Sequence, residues 1–178
     1  MKEILLPNGE KVIISPPTIS DAKELLEYIN LISGESEFLT VGAGDFSMTL
    51  EEQERFIENS TKQENNLLLV AKVDGKIIGN LKFSASKRPR IAHQGEFGIT
   101  VAKAYWSFGL ASALLSYLIE WAYKTGIIKK INLKVRSDNQ RAIHLYKKFG
   151  FKEEGLITRD YLIKNKFYDS IAMGLTID

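Results

Sequence analysis

The chain has 178 residues, 44% of them hydrophobic and 26% charged, which is enough apolar material to bury a core and argues against disorder. Its 24 Lys and Arg nearly balance 22 Asp and Glu; with Lys87-Arg88-Pro89-Arg90 as the densest basic cluster and no apolar run of spanning length, neither a nucleic-acid nor a membrane partner is expected. The absence of cysteine excludes a disulfide scaffold, a thiolate zinc site and a cysteine nucleophile, and suits a reducing, cytoplasmic location.

Met1–Pro7 lacks the apolar core and cleavage site of a signal peptide. Ile4–Leu6 and Lys11–Ile14, joined through Asn8-Gly9, predict a hairpin. Thr18 with Asp21 forms a capping-box pattern ahead of a helix whose apolar positions are Ala22, Leu25, Leu26, Ile29 and Ile32. Ser33–Ser47 reads as an acidic, glycine-rich irregular stretch, and Thr49 with Glu52 starts a second helix running toward Thr61. Leu67–Val73 and Lys76–Ser84 form a second hairpin about Asp74-Gly75, and His93–Val101 is the next strand. A helix from Gly109 to Lys124 follows, with Ala111, Leu114, Leu115, Leu118 and Ala122 inward and Gly126 at its C-cap. Strand Lys130–Arg136 leads to a helix from Asp138 to Phe149, and two strands near Gly155–Ile163 and Phe167–Leu175 close the chain. His93 and His144 have no second ligand near them, so no metal site is expected. With no linker or repeat, residues 1–178 read as one α+β domain: a mixed, mostly antiparallel sheet with helices on both faces.

Two segments carry chemistry. Ile99 to Ser112 is a strand, a loop and a helix start, and the unpaired N–H groups of a helix N-terminus suit a phosphate. Gly109, Ala111 and Ser112 keep that approach open, and Ser107 is placed to cap. In the second segment Ser137 or Asp138 caps a helix on which Asn139, Ala142 and Tyr146 share one stripe. A phenol and a polar first-turn side chain then face one groove, although a tyrosine so placed can equally pack with its hydroxyl on a backbone carbonyl.

Together the segments resemble the GNAT (Gcn5-related N-acetyltransferase) superfamily. Its Arg/Gln-x-x-Gly-x-Gly/Ala motif corresponds to Trp106-Ser107-Phe108-Gly109-Leu110-Ala111, with Trp106 as a departure, and its downstream motif to Asn139, Ala142, Leu145, Tyr146, Gly150 and Phe151. The resemblance implies a splay between two parallel middle strands, where the arm of acetyl-CoA pairs with Ile99, Thr100 and Val101. It places the pyrophosphate on the amides of Ser107, Phe108, Gly109, Leu110, Ala111 and Ser112, with Asn139 on the opposite wall. The implied reaction is direct attack of an amine on the thioester, with Tyr146 protonating the leaving thiolate and a backbone N–H near Val101 receiving the oxyanion.

Glu96 is the candidate base, with water as the alternative. It shares a strand face with Gly98 and Thr100, whereas strand carboxylates used as bases in some relatives have the parity of Phe97. Relatives that acetylate ribosomal-protein N-termini carry a base at the position of Lys134, and a lysine there speaks against that mechanism. The acceptor is a small-molecule or protein amine, and Glu35, Glu37 and Asp45 near Phe38, Tyr161 and Tyr168 would suit a cationic one such as a polyamine. An acyl-CoA sensor or catalytically silent module of the same fold is the competing reading, and a homodimer through sheet edges or helices is compatible with the sequence. Rossmann and P-loop nucleotide sites lack their glycine motifs here.

Overall fold

The structure, a computed structural model, describes residues 1–178. Eight strands form one sheet: β1 (Lys2–Leu5), β2 (Lys11–Ser15), β3 (Leu67–Val73), β4 (Lys76–Ala85), β5 (Gln94–Val101), β6 (Lys130–Arg136), β7 (Lys152–Ile163) and β8 (Lys166–Thr176). Their order is β1-β2-β3-β4-β5-β6-β8-β7, and every pairing is antiparallel except β5 with β6. Four helices cover the sheet: α1 (Ala22–Glu35), α2 (Leu50–Thr61), α3 (Leu110–Thr125) and α4 (Gln140–Lys148).

Side chains alternate across a strand, and the two sets find different helices. Leu69 and Ala71 of β3, Leu81 and Phe83 of β4, Phe97 of β5 and Ile131, Leu133 and Val135 of β6 join Leu114, Leu115 and Leu118 of α3 and Ile143 and Tyr146 of α4 in one core. Leu68 and Val70 turn the other way, against Leu25, Tyr28 and Ile32 of α1 and Ile57 of α2. The nearly unbroken apolar run of β3 is therefore that of a strand covered on both faces.

Several local expectations need correcting. Helix α1 continues through Gly34 to Glu35 instead of ending at Ser33, because Ile32 and Ser33 are buried and offset the roughly 1 kcal/mol cost of a helical glycine. On α3 it is Leu110, stacked with Leu114 and Leu118, that packs inward, while Ala111 is only half-buried. Ser107 does not cap α3; the N-cap is Gly109 at φ 84°, with no side-chain hydrogen bond. Neither Ser137 nor Asp138 caps α4: the Asp138 carboxylate is taken by Arg136, and Asn139 Oδ1 instead accepts the Ala142 N–H at 3.2 Å.

Parallel pairing between β5 and β6 lasts only from Gln94↔Lys130 through Gly95↔Ile131 to Glu96↔Asn132. Beyond it Phe97–Val101 stay paired with β4 and Leu133–Arg136 with β8, so the two middle strands diverge while each keeps its outer neighbour. Gly95 sits within this short join. A Cβ there would lie 2.4 Å from the Ser84 carbonyl oxygen and 2.6 Å from the Phe83 ring, so only glycine lets β4 and β5 approach.

The segment between α1 and α2 is tied down across the end of the sheet. Arg136, 5% exposed, closes β6. Its guanidinium donates to both carboxylate oxygens of Asp138 (3.0 and 2.7 Å) and to the Glu37 carbonyl at 2.7 Å. Its flat faces meet the rings of Tyr168 at 3.9 Å and Phe38 at 4.6 Å. Planar geometry and weak hydration suit arginine, not lysine, to this sandwich.

Two expectations follow. Gly95→Ala should lower stability by about 1–3 kcal/mol in thermal or urea unfolding, since the collision involves backbone. Arg136→Met should cost on the order of 1–3 kcal/mol and speed limited proteolysis between Ser36 and Met48, because Glu37 and Phe38 lose their anchor.

Candidate active site

The free edge of β5 has a defined phase. The Ala102 N–H donates to the Ile78 carbonyl of β4 at 2.9 Å, and the unbroken register from Gly79↔Val101 to Ala85↔Gly95 carries that alternation down the strand. The backbone groups of Thr100 and Gly98 therefore face β4, and those of Ile99 and Val101 face the splay. Of the three strand residues predicted to hold a cofactor, Ile99 and Val101 present free backbone. Thr100 does not, and its hydroxyl is engaged with that of Tyr28 at 3.0 Å.

Trp106 explains its own departure from the motif. Its indole N–H donates to the Val101 carbonyl at 2.7 Å, pinning the loop to the strand end. A half-buried indole N–H is best satisfied by such a partner, so the residue serves the loop's geometry through its N–H. The Ile99 N–H and C=O and the Val101 N–H are the groups that remain at the edge.

After Trp106 the chain passes through two left-handed residues, Ser107 at φ 72° and Gly109 at φ 84°. Gly109 opens α3, and the first amides of the helix, Leu110, Ala111 and Ser112, have no partner within it. The dipole of a 16-residue helix adds partial positive charge at that end. Arg141, on the first turn of α4 across the splay, reaches the same loop, donating to Ser107 Oγ at 3.3 Å with its guanidinium 5.7 Å from the Trp106 ring. Sequence reasoning missed Arg141. The signal was its place two residues beyond Asn139, on the wall facing the phosphate-type loop.

Tyr146 projects from α4 and is 8% exposed, its ring edge-on to Phe97 at 5.8 Å and beside Phe151 at 5.9 Å. Its hydroxyl has no hydrogen bond to any backbone carbonyl and is not among the sealed, unpartnered polar atoms, so its tip opens onto free space. Burial, helped by the charge of Tyr161, pushes its pKa up to about 12. Tyr161 lies opposite Tyr168 in the pairing of β7 with β8. Asn139 has its Oδ1 committed to the α4 cap, with the amide Nδ2 free to donate.

Glu96 occupies the last paired rung, opposite Asn132. It is exposed and makes no ion pair or hydrogen bond. Its side chain lies on the face of Thr100 and Tyr28, under α1, opposite to that of Tyr146. Burial foremost, then the charges of Asp160 and Glu96, raises the pKa of Tyr161.

The acids of the expected acceptor region are occupied. Glu35 accepts the Lys103 N–H at 2.7 Å, Glu37 pairs with Lys164 at 2.6 Å, and Asp45 accepts the Gly42 N–H at 2.8 Å. The groove is thus open at the α3 amides and at the β5 edge, has a phenol on one side of the sheet and has an unpaired carboxylate on the other.

The pattern of the Acetyltransferase (GNAT) family matches residues 34–151. A crystal structure of a GNAT-family acetyltransferase from Streptococcus pneumoniae is 36% identical and superposes with a TM-score of 0.90 over 94% of this chain and 99% of that one. The L-amino acid N-acetyltransferase AaaT of Escherichia coli is 39% identical over 106 residues, 60% of this chain and 65% of that protein, just under two thirds of its length. The fold is shared, at 20% identity and a TM-score of 0.81, with yncA from Salmonella typhimurium, whose structure holds its cofactor acetyl-CoA and aligns over 94% of each chain. By matched sequence and by fold, the chain belongs to the GNAT family of acetyltransferases.

Proposed function

We propose that residues 1–178 form a single domain that transfers an acetyl group from acetyl-CoA to an amine. The observation that carries this reading is the coincidence, at one break in the sheet, of a free β5 edge, the open amides of α3 and the unbonded hydroxyl of Tyr146. Acetyl-CoA supplies the activated acetyl thioester. The residues fit it in order: Ser107–Ser112 amides and Arg141 receive the pyrophosphate, Ile99 and Val101 hydrogen-bond the amide-bearing arm, and Asn139 Nδ2 donates from the opposite wall.

An ammonium arriving from the α1 side meets Glu96, which removes one proton directly or through water and leaves the lone pair for attack. The Val101 N–H donates to the acetyl oxygen as it gains charge. As the C–N bond forms and the C–S bond breaks, Tyr146 donates its proton to the sulfur, and the second proton leaving the nitrogen, relayed through water, replaces it. Burial keeps the Tyr146 phenol protonated, with its pKa pushed up to about 12; because a free thiol has a pKa of about 8.5, transfer to the thiolate is uphill on its own and proceeds coupled to the proton that leaves the amine nitrogen. The AaaT relative, by its name an N-acetyltransferase, supports the same class of reaction.

Calorimetric titration with acetyl-CoA, followed by thiol release over an amine panel, tests the reading; absence of binding would overturn it, and binding without turnover would favour the sensor. Tyr146→Phe should lower kcat about 10²-fold or more while the acetyl-CoA Kd stays within twofold or so. Glu96→Gln should depress kcat/KM most at neutral pH and recover as pH rises toward the acceptor's own pKa, where free amine needs no base. A flat ratio to wild type across that range would reassign the base to water.

A further inference from the structure

The acceptor side of the sheet carries a charge pattern different from the one the loop acids imply. Ile131, Leu133 and Val135 of β6 point into the core beneath α3 and α4, so Asn132, Lys134 and Arg136 line the opposite face. Asn132 is committed to Gln94 Oε1 at 3.0 Å, and Arg136 to Asp138, Glu37 and two aromatic rings. Lys134, between them, is exposed and makes no ion pair or hydrogen bond. Its neighbour on β8 is Ala172, which offers no polar group from its side chain.

Lys134 lies one side-chain repeat, about 7 Å, beyond the rung where Asn132 faces Glu96. The floor of the acceptor side thus pairs one uncommitted carboxylate with one uncommitted ammonium across the splay. Around them Glu37 is paired with Lys164, Glu35 and Asp45 accept the backbone N–H groups of Lys103 and Gly42, and Lys166 lies over the Tyr168 ring at 4.9 Å. A polyamine brings a second cation, which would meet the unpaired ammonium of Lys134 on this floor. A molecule with an ammonium and a carboxylate on one carbon fits both charges.

Resting on the acetyltransferase reading, we infer that the acceptor is an α-amino acid whose carboxylate is received by Lys134 while its amino group faces Glu96 and the thioester. Lys134 is a specificity residue in this arrangement. It takes no part in proton transfer.

The test is thiol release from acetyl-CoA with matched pairs that differ only in the carboxylate, leucine against isoamylamine and lysine against cadaverine, with spermidine alongside. Leucine and lysine should exceed their decarboxylated partners in kcat/KM by about tenfold or more, as for a charge-assisted hydrogen bond. Lys134→Met should cut the leucine-to-isoamylamine ratio by at least about tenfold, mainly through KM for leucine. Lys134→Glu should push the ratio further, toward cadaverine and spermidine. Equal use of both members of a pair, preference for spermidine, or a ratio untouched by Lys134→Met would each overturn the inference while leaving an active acetyltransferase. No acetyl-CoA binding by calorimetry would instead remove the underlying reading.

Discussion

Three parallel rungs are all that join β5 to β6, and the site depends on their ending where they do. Unpaired backbone groups away from water cost stability, so a sheet does not open in its middle without compensation. Here each diverging strand keeps a full antiparallel partner, β4 on one side and β8 on the other, so only the inner edges are exposed. Trp106 satisfies the Val101 carbonyl at the far end of the gap. What remains unpaired is short, directional and reachable, which is what an amide-bearing ligand arm requires.

The gap also lets the two faces of the sheet communicate. Tyr146 comes from the α3–α4 side, whereas Glu96, Lys134 and Tyr161 belong to the side of α1 and α2. Tyr146 sits in an apolar setting beside Phe97 and Phe151, where burial keeps the phenol protonated, and Glu96 sits in an open one.

Arg136 links the loop after α1 to the helix that carries Tyr146. One edge of its guanidinium holds Asp138, immediately before the Asn139 cap of α4, and another holds the Glu37 carbonyl. The Asp138 carboxyl is held below its ordinary value by hydrogen bonding to that guanidinium, so the pair persists well into the acid range. Placement of the loop after α1 and of the α4 N-terminus therefore rests on one buried side chain.

Much of the architecture was legible because it is written in short-range patterns. The apolar run bounded by turn signals located β3, alternation located β6 and 3.6-residue apolar spacing α3, the Thr49–Glu52 box marked the start of α2, and Asn139 and Tyr146 on one helical stripe pointed to a groove. The family motif added Ile99 to Ser112 as the cofactor wall. Partner choice was not legible. Whether Glu35, Glu37 and Asp45 serve a ligand or the fold depends on Lys103, Lys164 and Gly42, and the Arg136 bond to Glu37 spans 99 positions. Spacing along the chain determines which side chains share a face, so composition and periodicity settled the α+β class and the candidate residues. Only the tertiary structure decided which of these groups already had partners, because that depends on contacts between segments whose distance in sequence carries no information about their distance in space.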